Sequence, residues 1–396
     1  MSVRAAAENF LRRQQRRAAG RARWAIKVAD EGLRDTRHGL RHAAEGGRDG
    51  AVNWAKALLR RVRRPVHAAK RRQAHLSERW GFYRTQWGIE RELETIARDG
   101  RLIVAGPWLS EVGFETLYWT PFLHWFQAAF RVPSSRMVAV SRGGADSWYA
   151  GIADRYLDVW DDFTPEEYAR RNAARGATKH FEESELDRDV LAAVVRRLGV
   201  GRSDVVVLHP GLMYRLFALY WSGQRAMGFI DAHLRFTRVE APTIIDPALL
   251  PRDYIAMKFY AAQSLPDSPT MRQRLRTFVA AAAAQMPVVL LDTGLVLDEH
   301  ADYGFGGDRV ISARPWMTPR NNLGVQTQII AGSRGFVGTC GSIAWLAPRL
   351  GVDTSALYVN PEWLHAHLPV AMRAYHKLGA GRFLPADLRA LDGLGV

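Results

Sequence analysis

The chain has 396 residues, 47% of them hydrophobic and 24% charged, with one cysteine and a formal net charge of +15. These values describe a globular protein long enough for two domains, and they exclude an intramolecular disulfide. The charge is uneven: residues 1–80 hold 21 Lys+Arg against 7 Asp+Glu, a balance of +14, while residues 81–396 hold 34 against 33, a balance of +1.

The basicity therefore belongs to an N-terminal extension, expected over 1–95. Its frequent alanine, with proline only at Pro65 within 1–80, predicts helix. In 51–64, Trp54, Leu58 and Val62 recur at i, i+4 and i+8, and Lys56, Arg60, Arg61, Arg63 and Arg64 fall mostly on the remaining arc. Such a basic amphipathic helix suits an anionic membrane surface. It equally suits a stripe packed on the body, or an arm for nucleic acid, although the body adds almost no charge to the last. No apolar run approaches the ~20 residues that span a bilayer, and no apolar core follows the charged N-terminus as in a secretory signal. The expected place is cytoplasmic, peripheral on the inner face of the plasma membrane. The lone Cys340 fits a reducing compartment.

From residue 100, short β-branched runs alternate with helical stretches. RLIVAG (101–106), MVAVSR (137–142) and DVVVLHP (204–210) are predicted strands of a first unit. YIAMKFY (254–260), PVVLLDT (287–293), GFVGTC (335–340) and SALYV (355–359) are those of a second. The stretches FETLYWTPFLHWFQAAF, ESELDRDVLAAVVRRLG and MRQRLRTFVAAAAAQM are predicted helices. The alternation predicts an α/β chain of two Rossmann-like parallel-sheet domains, 96–248 and 249–396, joined near the proline-rich APTIIDPALLPRDY. In such sheets ligands bind beyond the carboxyl ends of the strands, here in a cleft between the domains.

Several turns at those ends carry candidate groups. GPWLSEVGFETLYW (106–119) opens an aromatic-rich helix. Gly106, Ser110 and Gly113 permit a tight backbone, and Glu111 and Glu115 stand near the helix start, where an acid also simply complements the helix dipole. Trp108, Trp119 and Trp125 are either sugar-stacking surfaces or core. Arg142 ends the second strand. His209 in LHPG ends another and is either a base or a structural group. LLDTGLVLDEHADYGFGG (290–307) turns Thr293 and Gly294 to the cleft, with Asp298 and His300 able to bond a ribose, base or sugar; no third fixed ligand accompanies them for a metal. Asn321, Asn322 and Gln326 in TPRNNLGVQ reach a ligand or cap their own helix. In GFVGTCGSIAWLAPRLG, the turn Gly338, Thr339, Cys340, Gly341 and Ser342 lies between a strand and a predicted helix ending at Gly351. Small residues there let backbone N–H groups approach an anion, or serve only close packing.

The stretch IIAGSRGFVGTCGSIAWLAPRLGV resembles the donor domain of GT-B-fold glycosyltransferases, most nearly heptosyltransferases and fucosyltransferases with an FVGT-G-S-like turn. The likeness is specific over about thirty residues, looser over 250–360, and architectural over 100–245. It implies that the 338–342 turn lies near the nucleotide-sugar phosphates. It also implies that a basic residue ending the first donor strand contacts the diphosphate; Lys258, with Tyr260 beside it, fits. The H-x-R-x-G-D pattern of protein fucosyltransferases is missing, so GDP-fucose is not implied.

The expectation is a metal-independent glycosyltransferase with no tightly bound cofactor. It would move a hexose or deoxyhexose from a nucleotide-sugar donor to a cell-surface polysaccharide or lipid-linked glycan acceptor. Transfer needs a base for the acceptor hydroxyl and stabilisation of the leaving diphosphate. Glu111, Glu115 or His209 would be the base. Lys258, Tyr260, Thr293, Gly294, Gln326, Gly338, Thr339, Gly341 and Ser342 would hold the donor. A polysaccharide pyruvyl transferase-like enzyme would want a tighter basic cluster for phosphoenolpyruvate. A non-catalytic scaffold of the same fold would keep the frame without donor affinity, and specific nucleic-acid binding is not expected.

Overall fold

The structure, a computed structural model, describes residues 81–174, 180–295 and 301–392. The basic extension of residues 1–80, with its expected membrane helix, and Asp298 and His300 lie outside the described residues. The chain divides into Met1–Gly81 and Phe82–Val396, and the second unit carries everything described here. Helix α1 ends at 98 and buries Ile89, Leu93, Ile96 and Ala97, one stripe at helical spacing. Residues 82–95, grouped with the extension from composition, are therefore held in the body by that stripe.

The first sheet contains β1 (Leu102–Ala105), β2 (Met137–Ser141), β3 (Arg155–Asp158) and β4 (Val205–Leu208) in the order β3-β2-β1-β4, all parallel. Between β1 and β2, helix α2 runs through Val112–Phe114, Glu115–Trp119 and Thr120–Phe130; its middle segment is a π-turn. Helices α3 (Pro165–Ala174) and α4 (Glu185–Leu198) precede β4, and α5 (Pro210–Trp221) and α6 (Met227–His233) follow it. A reciprocal Ser184–Asp187 capping box starts α4, and Gly199 in the left-handed region ends it.

The second sheet contains β5 (Ile255–Lys258), β6 (Val288–Leu290), β7 (Val310–Ser312), β8 (Phe336–Thr339), β9 (Thr354–Tyr358) and β10 (Phe383–Asp387). Their order is β10-β9-β8-β5-β6-β7, again all parallel. Helices α7 (Pro269–Gln285), α8 (Asn322–Ala331) and α9 (Leu368–Leu378) cross between strands, and α10 (Leu388–Asp392) follows β10. The two-sheet α/β architecture is the one the apolar runs predict. Strands β3, β7 and β10 escape that reading because they are edge strands, half covered and without a continuous apolar run. Pro385 inside β10 is tolerated for the same reason.

In each sheet the chain order reverses beside the first strand, between β1 and β4 and between β5 and β8. Those are the topological switch points, where a crevice opens at the carboxyl ends. The two sets of carboxyl-end turns face each other. The Leu323 N–H at the start of α8 donates to Gly143 O after β2 at 2.8 Å. The Trp148 indole donates to Thr327 Oγ1 at 2.9 Å. Gln328 takes both the Ile244 and Ile245 N–H groups on its Oε1. One hydrophobic core runs across both lobes, joining Leu117, Trp119 and Phe122 to Ile329, Trp345 and Tyr375.

Candidate functional site

At the switch point of the second sheet, Lys258 and Tyr260 end β5 and the Gly338–Ser342 turn ends β8. The segment after this turn is not the predicted helix. It forms two four-residue 3₁₀ turns, Ser342–Trp345 and Ala347–Leu350, the second with Pro348 near its start. The N-terminal field of a long helix is therefore not what this turn offers an anion. What it offers is an unusual backbone: Gly341 has φ 129° and Ser342 φ 42°. A Cβ on Gly341 would sit 2.8 Å from the Tyr260 hydroxyl, so only glycine fits there. The Ser342 side chain is hydrogen-bonded to that phenol, which burial pushes well above its ordinary pKa.

The other candidates of this lobe are partly spent on the fold. Thr339 Oγ1 accepts the Tyr260 N–H at 3.0 Å and donates to Tyr260 O at 3.1 Å, stitching β8 to β5. Gly338 is buried with the Lys258 carbonyl against it. Lys258 is buried, and its Nζ donates to Leu291 O at 2.9 Å and pairs with the Asp302 carboxylate at 3.0 Å. Asp302 Oδ2 also takes the Thr293 N–H at 2.7 Å and hydroxyl at 2.8 Å. Lys258 thus anchors the loop after β6 through Asp302, instead of presenting a bare charge to a diphosphate. Gly294 carries the Arg314 guanidinium against its Cα. The sequence reading missed Arg314, an exposed cation just past β7, and weighed Asp302 only within an acidic run; in the structure Asp302 bridges to Tyr260. Half-buried Asp292 accepts from Ser312 at 2.6 Å, and burial raises its pKa.

Asn321 accepts from the Thr318 N–H at 2.6 Å, Asn322 donates to Pro319 O at 2.7 Å, and Gln326 donates to Asn322 O at 3.1 Å. These residues shape the start of α8. Gln326 Oε1 is buried with no hydrogen-bond partner among the described residues.

In the first lobe, Glu111 is half-buried at the entry to α2, in an extended conformation, and its side chain does not cap that helix. It acts electrostatically on Tyr260 across the lobes. Gly113 lies against the second lobe: a Cβ there would sit 2.8 Å from the Ser342 nitrogen. Glu115 is different. It is fully buried, and its Oε1 accepts from Ser141 at 2.5 Å and Tyr149 at 2.6 Å. Burial raises it to about 7 against the pull of Arg142, and Oε2 has no partner among the described residues. Its carboxyl faces the core, which removes it from the role of acceptor base. Arg142 is buried too, donating to Ser110 O at 2.8 Å and Trp108 O at 3.3 Å. Trp108 and Trp119 are stacked in the core, and half-buried Trp125 packs on His233, so the aromatics here are structural.

His209 is likewise committed. Its Nδ1 accepts the Gly211 N–H at 3.0 Å as the cap of α5, and its Nε2 faces Asp187 Oδ1 at 3.4 Å. His180 Nε2 approaches the same oxygen at 2.6 Å. His180, Asp187 and His209 are the group of described residues with metal-ligand chemistry. The hydrogen bonding argues against that use. An Nδ1 that accepts an N–H leaves the proton on Nε2, which then points at Asp187 with no lone pair for a metal. With both nitrogens engaged, His209 is no base either.

No family model and no curated protein matches the chain. Among solved structures it is similar to a glycosyl transferase family 9 protein from Veillonella parvula DSM 2008, at 14% identity over 72% of this chain and 86% of that one, with TM-score 0.38. It is similar to E. coli ADP-heptose LPS heptosyltransferase II at 14% over 72% and 90%, TM-score 0.38. It is also similar to the glycosyltransferase SnogD from Streptomyces nogalater at 14% over 72% and 86%, TM-score 0.33.

Proposed function

We propose that the chain is a glycosyltransferase that takes a sugar from a nucleotide-sugar donor held on the second lobe. The observation that carries this reading is the apposition of the Glu111–Gly113 turn to the Gly341–Ser342 turn at two facing switch points. Donor phosphates would lie along the 341–342 backbone beside Tyr260 and Ser342. The loop anchored by Lys258, Asp302 and Thr293, with Arg314 at its edge, would border the nucleoside. Glu111 would take the acceptor proton, since Glu115 and His209 are turned into the fold. The acceptor would be a surface polysaccharide or lipid-linked glycan, met at a membrane surface through the basic extension. The reaction would need no resident metal or cofactor. No helix among the described residues is long and apolar enough to cross a membrane.

One observation favours a second reading, a scaffold that keeps the frame without the chemistry: Thr339, Lys258, Glu115 and His209 all serve internal bonds. Thermal unfolding of the full chain separates the two. The panel is ADP, GDP, UDP, CDP, their common nucleotide sugars, and phosphoenolpyruvate. A ligand that binds the folded state raises Tm. A shift with one base, followed by loss of sugar transfer in Glu111→Gln without loss of the shift, supports the transferase. No shift with any nucleotide leaves the scaffold, and a shift with phosphoenolpyruvate alone moves the assignment to pyruvyl transfer.

A further inference from the structure

The helix behind Glu111 contains a loose end that the other lobe ties. In an α-helix the Thr120 N–H would donate to Thr116 O, four residues back. Here it donates to Glu115 O, five back, which is the π insertion. The next residue, Pro121, has no N–H to give. Among the described residues, Thr116 O is left with no donor from its own helix.

Arg349 of the second lobe supplies one. Its Nη1 donates to Thr116 O at 3.2 Å and to Thr120 Oγ1 at 2.6 Å. Its Nε donates to Thr237 O at 3.0 Å, and its Nη2 to Thr237 Oγ1 at 3.4 Å. The side chain is fully buried, and burial lowers its pKa to about 10, so it remains a cation at neutral pH. Among the described residues all these acceptors are neutral. A buried guanidinium without a counter-ion is costly, and only a full set of hydrogen bonds makes it tolerable. The same helical turn touches the candidate site, since Thr116 Oγ1 lies 3.5 Å from Ser342 O.

We infer that Arg349 is a positioning residue. From the donor lobe it completes the π insertion of the acceptor lobe, and so fixes the Glu111–Gly113 turn against the Gly341–Ser342 turn. The functional half of this inference rests on the glycosyltransferase reading; the structural half stands without it.

Hydrogen exchange on the full chain tests the structural half. In Arg349→Met, amides of 113–120 should exchange roughly tenfold faster while those of β5, β6 and β8 keep their protection. Adding Pro121→Ala should suppress the effect, because an N–H at 121 can serve Thr116 O. Equal acceleration throughout both lobes, or no suppression by Pro121→Ala, overturns the inference. If Arg349→Met does not fold, Arg349→Lys, which keeps the charge but lacks the fork that spans Thr116 O and Thr237 O, is read in the same way.

Titration with ADP, GDP, UDP and CDP tests the functional half. The nucleotide that binds wild type should bind Arg349→Met within about threefold, with turnover of the matching nucleotide sugar down roughly tenfold at unchanged KM. Full turnover overturns positioning. If none of the four binds wild type, the glycosyltransferase reading fails and exchange alone decides Arg349.

Discussion

Gly113 of the first lobe and Ser342 of the second meet so closely that a Cβ on the glycine would lie 2.8 Å from the serine nitrogen. The ring of Trp345 closes the same space at 3.1 Å. Gly113→Ala must therefore push one lobe from the other or bend a buried turn. It should cost about 1–3 kcal/mol, as overpacking does, and lower Tm. An unchanged Tm would show that the contact yields freely.

Glu115 sets a dependence on pH. Burial raises its carboxyl from 4.5 to about 7, so the folded chain keeps a proton there that the unfolded chain gives up. The resulting stability is complete below about pH 4.5 and is lost as pH rises through 7, a difference of roughly 3 kcal/mol. Urea midpoints of wild type should fall relative to those of Glu115→Gln over that interval, because His124, which burial holds down at about 4, adds the same opposite slope to both. Parallel curves for the two would refute the assignment.

Lys258 should behave as a structural cation. Lys258→Met leaves half-buried Asp302 with only the two Thr293 donors and should cost about 3 kcal/mol. Lys258→Met with Asp302→Leu should recover most of that loss, because no charge is then stranded. If the double variant is as unstable as the single one, the ion pair is not the cause.

Asp187 has the opposite sign to Glu115. Burial would raise its carboxyl, but hydrogen bonds from His180, His209 and Ser184 outweigh burial and hold it well below the usual range. That stability is present above pH 3.8 and is lost as pH falls further. Asp187→Asn should cost about 2 kcal/mol at pH 7. Zinc added to wild type should leave Tm unchanged. A zinc-dependent rise that disappears in Asp187→Asn would reverse the tautomer argument.

The central strands and their turns are legible in the sequence because each is a short apolar run closed by small residues, as at Gly338–Ser342. The groups that border the crevice are legible as residue types near strand ends. Their commitments are not. Lys258 finds Asp302 forty-four residues on, and Thr339 finds Tyr260 seventy-nine residues back. No local pattern announces either pairing. His209 and Glu115 look like bases in one dimension, but their burial and partners come from other elements. The predicted helix after Ser342 fails at Pro348, where the chain cannot supply the N–H that a longer helix needs.

Arg349 lies 233 residues after the carbonyl it serves. At ordinary rates of synthesis that interval is roughly ten to fifty seconds. Through it, the emerging first sheet carries an open π insertion and the uncovered apolar side that Trp345 and Tyr375 later seal. The first lobe thus emerges with part of its core uncovered, and that side is sealed only when the second lobe has been made.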